Sequence, residues 1–217
     1  MADINSSFDF SKKSKETITS KLSNPFCHTN WSDEDLQEVR KEIRDFYKIE
    51  QRGICSYCKQ TVSVVSVANC HVEHIVPKSI HLDFIFNPKN LCVICADCNQ
   101  IKRDQETLGE IPETMTKAGI RKRYPNSSNA FKIIHPHFDN YDDHILIING
   151  CYIDKGSKKG NFTIGACNLN RKLAVFGWEP NIVNDEKITI EMNSFIRETD
   201  PEKRKKHLGN LKKQLFD

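Results

Sequence analysis

The sequence predicts a mixed α+β protein in which an N-terminal helix precedes a small site-bearing core, followed by a hairpin and further helices. Three observations carry this. Leu36, Val39, Ile43, Phe46 and Tyr47 recur at helical spacing, two Cys-x-x-Cys pairs bracket a short strand-rich stretch, and Asn149-Gly150 sits between two apolar runs. At 217 residues, with 38% hydrophobic and 28% charged side chains, the chain can bury one good core. No apolar run approaches the roughly 20 residues that cross a bilayer, so no membrane is expected among its partners. Boundaries are expected at 1–52 for an N-terminal arm and helix, 53–107 for the core and 108–217 for a C-terminal α/β extension.

Residues 1 to about 30 are rich in Ser, Lys and Asn and read as a loose arm or irregular cap. Ser32, followed by Asp33, Glu34 and Asp35, reads as an N-cap with an acidic first turn, which places a helix over about 33–50. Gly53 closes it and delivers the chain to Cys55. Thr61 to Asn69 is β-branched and partly alternating, which predicts a strand leading into His71-Val72-Glu73-His74. Pro77 ends that element, residues 77–90 read as a loop, and Cys95 to about Gln105 as a helix. Beyond 108 a polar linker carries Pro112, Gly119 and Pro125. Ile145–Ile148 and Cys151–Ile153 flank Asn-Gly as a type I′ hairpin, and the tail from about 168 reads as helical.

Nine cysteines, an odd number, with no apolar export signal near Met1, point to thiols and metal ligands in a reducing cytoplasm. The net charge of +3 is too mild to indicate a partner, although Lys12-Lys13-Ser14-Lys15, Arg121-Lys122-Arg123 and Lys203-Arg204-Lys205-Lys206 could neutralise phosphates.

The pair Cys55 and Cys58 is separated by 36 residues from the pair Cys95 and Cys98. Two such knuckles suit a tetrahedral structural Zn2+. Cys92-Val93-Ile94-Cys95 is a competing pair, but its bulky middle residues fit a knuckle turn less well than Ala96-Asp97, so Cys92 is expected in the core. Glu73, His74 and Asn99 are hard oxygen and imidazole groups suited to a second metal and to proton transfer. His71 is an alternative ligand, although i and i+3 on a strand face opposite ways. Lys102, a helical turn beyond Asn99, is a candidate phosphate contact, as is Lys78. His81 is a loop histidine within reach of a substrate. His135-Pro136-His137-Phe138-Asp139 with His144 reads as structural, and Trp31 and Trp178 as packing residues.

The order Cys-x-x-Cys, Glu73-His74-Ile75-x-Pro77-Lys78, Asn90-Leu91 and Cys95-x-x-Cys98-Asn99-x-x-Lys102 resembles the HNH endonucleases, the ββα-metal nucleases, over residues 53 to about 105. The resemblance implies a ββα-metal core stapled by a four-cysteine zinc. It implies His74 as the general base, Glu73 and Asn99 as ligands of a catalytic Mg2+ or Mn2+, and Asn90 as the residue that orients His74 or braces the loop. It also implies DNA as substrate. Many members carry Asp or His where this chain has Glu73. A wider similarity, which includes Leu169-Asn170-Arg171, extends to HNH proteins of bacterial antiphage systems such as the nuclease subunit of Septu. That similarity implies an ATPase subunit as partner in a defence complex. The competing class is a non-catalytic zinc module that binds nucleic acid or protein.

Overall fold

The computed structural model describes residues 2–109, 123–177 and 186–216. Pro112, Gly119, Arg121, Lys122 and Trp178 lie outside the described residues. The chain divides into two compact units, Met1–Leu146 with Tyr152–Leu169, and Ile147–Cys151 with Asn170–Asp217.

In the first unit, α1 (Lys12–Leu22) begins at Ser11, whose hydroxyl accepts from the Ser14 amide. The first 30 residues are therefore not a loose arm. Ile4, Phe8 and Ile18 bury their side chains, the Ser11 amide donates to Glu42 Oε1 at 2.9 Å, and the Asn5 and Ser6 amides donate to Glu50 Oε1. A few apolar anchors, reinforced by charge-assisted hydrogen bonds, suffice to dock a polar segment.

The predicted helix is α2 (Gln37–Glu50), which buries Val39, Ile43 and Tyr47. It starts later than Ser32, which ends a 3₁₀ turn over His28–Ser32, and a second such turn, Glu34–Leu36, leads into α2. Gly53, at φ +69°, closes the helix with its amide on the Lys48 carbonyl. At this end the Gln51 amide group is hydrogen-bonded to both the amide and the carbonyl of Val93, fastening α2 to the strand that carries Val93.

Two short antiparallel strands follow, β1 (His71–His74) and β2 (Leu91–Ile94), with Glu73 opposite Cys92 and His74 opposite Leu91. The strand expected over 61–69 does not form. Thr61 makes one bridge to Ile54, and then the chain loops outward with Val64, Val65 and Val67 exposed. Ser63 Oγ accepts from the Val65 and Ser66 amides and Ser66 Oγ from the Ala68 amide. Local side-chain acceptors thus satisfy the backbone, and β-branched residues without a partner strand do not make a sheet. Helix α3 (Ala96–Lys102) completes a strand, strand, helix arrangement.

The hairpin forms as predicted, with β3 (Ile145–Ile148) and β4 (Cys151–Asp154) joined through Asn149 at φ +48° and Gly150 at φ +79°. Helix α4 (Lys158–Ala166) starts at Ser157. Gly160 there passes so close to the His144 carbonyl that an added Cβ would lie 2.3 Å from its oxygen.

In the second unit, α5 (Arg171–Phe176), α6 (Glu186–Arg197) and α7 (Pro201–Phe216) bear out the helical tail. His207 and Asn210 both bond Glu191 Oε1, joining α6 to α7. No helix among the described residues is long and apolar enough to cross a membrane.

Candidate active site and metal centre

Four thiols converge at the base of β2. The Sγ atoms of Cys55, Cys58, Cys95 and Cys98 lie within 4.8 Å of one another, with Cys58 and Cys95 3.6 Å apart, and all four residues are buried. A tetrahedral zinc with Zn–S bonds near 2.3 Å requires sulfur separations of about 3.8 Å, which these distances bracket. Each knuckle is shaped locally. Lys59, at φ +55°, turns its amide back to the Cys55 carbonyl, and Cys95 caps α3 by accepting from the Cys98 amide. The hydrogen bond from Cys55 brings the Cys58 thiol down to about 7, whereas burial holds the Cys55 thiol well above the usual range. Cys92 stays in the core, as expected from its neighbours.

The knuckle is braced from far along the chain. Tyr141 donates its hydroxyl to the Tyr57 carbonyl at 2.7 Å, Tyr152 donates to the Cys58 carbonyl, and the Lys59 ammonium lies 4.1 Å from the Tyr141 ring centroid.

The second cluster lies on β1. Adjacent strand residues point to opposite faces, and both faces here are covered. Glu73 is only 6% exposed and meets the Lys102 ammonium at 2.5 Å, with the Tyr57 hydroxyl at 3.4 Å. His74 is 5% exposed. Its Nε2 lies 3.0 Å from the Ile85 carbonyl, which can only accept, so Nε2 carries the hydrogen and Nδ1 keeps its lone pair. The Trp31 indole packs against its ring with the two planes near perpendicular. Burial, with the Lys78 charge next in effect, pushes the His74 pKa down to about 3, so the ring is neutral at physiological pH.

Asn90 is fully buried and pins the connection between the strands. Its Oδ1 accepts from the Val76 amide at 2.7 Å, while Nδ2 donates to the carbonyls of Val76 and Phe84. Tyr47 of α2 donates to the Pro88 carbonyl at 2.7 Å, holding the turn that carries Asn90.

Lys102, read from sequence as a phosphate contact, is turned fully inward, where it also donates to the His74 carbonyl. Lys78, by contrast, is half-buried and has no hydrogen bond or ion pair among the described residues. Asn99 lies on α3 one turn before Lys102, partly exposed, and its side-chain amide has no partner among them. His71 bonds the Ala68 carbonyl, and His81 is tied to Glu106 Oε2 at 2.6 Å. His135 and His137 are structural, bonding the Tyr124 hydroxyl and the Leu91 carbonyl.

Residues 55–105 match the HNH endonuclease family. No curated protein matches the chain. The HNH segment therefore contains both Cys-x-x-Cys pairs, Glu73, His74, Asn90, Asn99 and Lys102. Three neighbours of its site escape a reading of the sequence. Trp31 reads there as packing alone, and the Ile85 carbonyl and the Gln51 brace carry no motif, since each acts through a contact that spacing does not reveal.

Proposed function

We propose that this protein is a metal-dependent HNH endonuclease that hydrolyses DNA phosphodiester bonds, with His74 as general base. The observation that carries the reading is the hydrogen bond that fixes His74: its Nε2–H is held by the Ile85 carbonyl, which leaves Nδ1 as the proton acceptor for an attacking water. Glu73 and Asn99 are the proposed ligands of a divalent cation. Glu73 meets the Lys102 ammonium at 2.5 Å, so a divalent cation at this carboxylate would have to share or displace that contact. Such an ion, Mg2+ or Mn2+ by its oxygen donors, would polarise the scissile phosphate and stabilise charge on the leaving oxygen. Asn90 holds the loop that carries Lys78 and Ile85, and Lys78 is the proposed phosphate contact. Zn2+ in the four-cysteine cluster is proposed as structural.

The wider sequence similarity supports a place in bacterial antiphage defence beside an ATPase subunit, in the cytoplasm. Lys102 favours a second reading, a non-catalytic zinc module, because its ammonium occupies Glu73. Cleavage of supercoiled plasmid with magnesium, manganese or chelator separates the two. The endonuclease nicks only with metal, and His74→Ala lowers the rate at least 100-fold. A plasmid left uncut by wild type in either metal would refute the nuclease reading.

A further inference from the structure

One face of α2 and the 63–67 loop enclose a cleft of about 450 Å³ that reaches Cys70, the residue before β1. Arg40, Arg44 and Lys48 recur at every fourth position along α2 and Lys41 lies beside them, so four cations line the cleft against one carboxylate, Asp45. Two of the four are already engaged. Arg40 bonds the Asp33 carbonyl at 2.9 Å and Lys48 bonds Asp45 at 3.2 Å. Lys41 and Arg44 have no partner among the described residues, and Arg44 Nε is shielded from solvent without a hydrogen bond. The opposite wall sets Val64, 74% exposed, and Val65, 96% exposed, between Ser63 and Ser66. Burial and then the charge of Arg44 lower the pKa of Arg40, so the guanidinium groups repel each other in a way that an anion would relieve.

We infer that this cleft is a nucleic-acid track, in which Arg44 and Lys41 take backbone phosphates while Val64 and Val65 lie against the sugars. Cations spaced along one wall and apolar side chains along the other match a strand whose edge is anionic and whose sugar face is not. The position supports it. Cys70 lines the cleft and His74 follows four residues later, about 13 Å along an extended strand, or roughly four nucleotides of duplex rise. The inference rests on the endonuclease reading for its choice of partner and gives that reading a route for the substrate away from the cutting site.

The test is binding of the zinc-loaded full chain to a labelled DNA duplex in magnesium-free buffer across a salt series. Lys41→Gln with Arg44→Gln should weaken binding at least 10-fold and reduce the slope of log affinity against log salt by about 2, one for each lost phosphate contact. Val65→Asp places a negative charge on an exposed loop where it cannot disturb packing. It should weaken binding several-fold, and it carries the test alone if the double variant is not folded by circular dichroism. Binding and salt slope equal to wild type in these variants would overturn the inference and leave the cleft to an acidic protein partner. If that result accompanies loss of cutting in His74→Ala, the endonuclease reading stands without the track. If wild type never cuts but loses DNA binding through Lys41 and Arg44, the track stands without the endonuclease.

Discussion

The rings of Trp31 and His74 meet edge to face, with centroids 4.5 Å apart and planes at 80°. Trp31 is itself held from behind, because Arg40 Nη1 donates to its carbonyl. The packed indole fixes the imidazole plane while the Ile85 carbonyl fixes its hydrogen. Trp31→Leu should therefore lower the cleavage rate about 10-fold or more while leaving bound zinc at wild-type stoichiometry. Rate and metal content measured on one preparation check this.

Breaking the Lys102–Glu73 pair should be costly. Lys102→Met leaves a buried carboxylate without its counter-charge, an expected loss of about 3–5 kcal/mol in urea unfolding. Glu73→Leu combined with Lys102→Met removes both charges and should recover most of that stability. A double variant no more stable than the single one would show that the pair is not the source of the loss.

Asn90→Leu should destabilise by about 2–4 kcal/mol, since the Val76 amide and the Val76 and Phe84 carbonyls lose their partner inside the protein. Amide exchange should rise first over residues 75–90, ahead of α2.

How much of this was legible depends on the reach of each interaction. Cys55, Cys58, Cys95 and Cys98 could be read because both knuckles are local turns, and Asn149-Gly150 because the hairpin turn needs only its own two residues. The 61–69 stretch misled because β-propensity is realised only where a partner strand is available, and here Ser63 and Ser66 satisfy the backbone instead. The docking of residues 4–18 and the inward turn of Lys102 were hidden because their partners, Glu42, Glu50 and Glu73, lie about 28 or more residues away in sequence.

Removing the proposed zinc should unfold the HNH segment, because the four-cysteine cluster joins the 55–58 turn to the start of α3. A mercurial should release one zinc per chain and abolish the cooperative melt. Cys58→Ser should copy the metal-free state, whereas Cys92→Ala should keep its zinc.

Acid should weaken the fold before any carboxylate titrates. Burial holds the His135 imidazole well below its usual range and lowers His137 as well. Both stay neutral when folded but protonate near pH 6.5 when unfolded, so the unfolded state gains protons as pH falls and stability falls with it. The urea midpoint should drop steadily from pH 7.5 to 5.5, and His137→Gln should flatten the slope.

The long reach of Tyr141 and Tyr152 to Tyr57 and Cys58 also governs the order of events during synthesis. All four cysteines of the cluster have been joined once residue 98 is added, yet the tyrosines that buttress the first knuckle follow some 43 to 54 residues later. At about 5–20 residues per second that interval lasts several seconds. A nascent chain thus carries all four thiols of the cluster before the tyrosines that brace its first knuckle have been made.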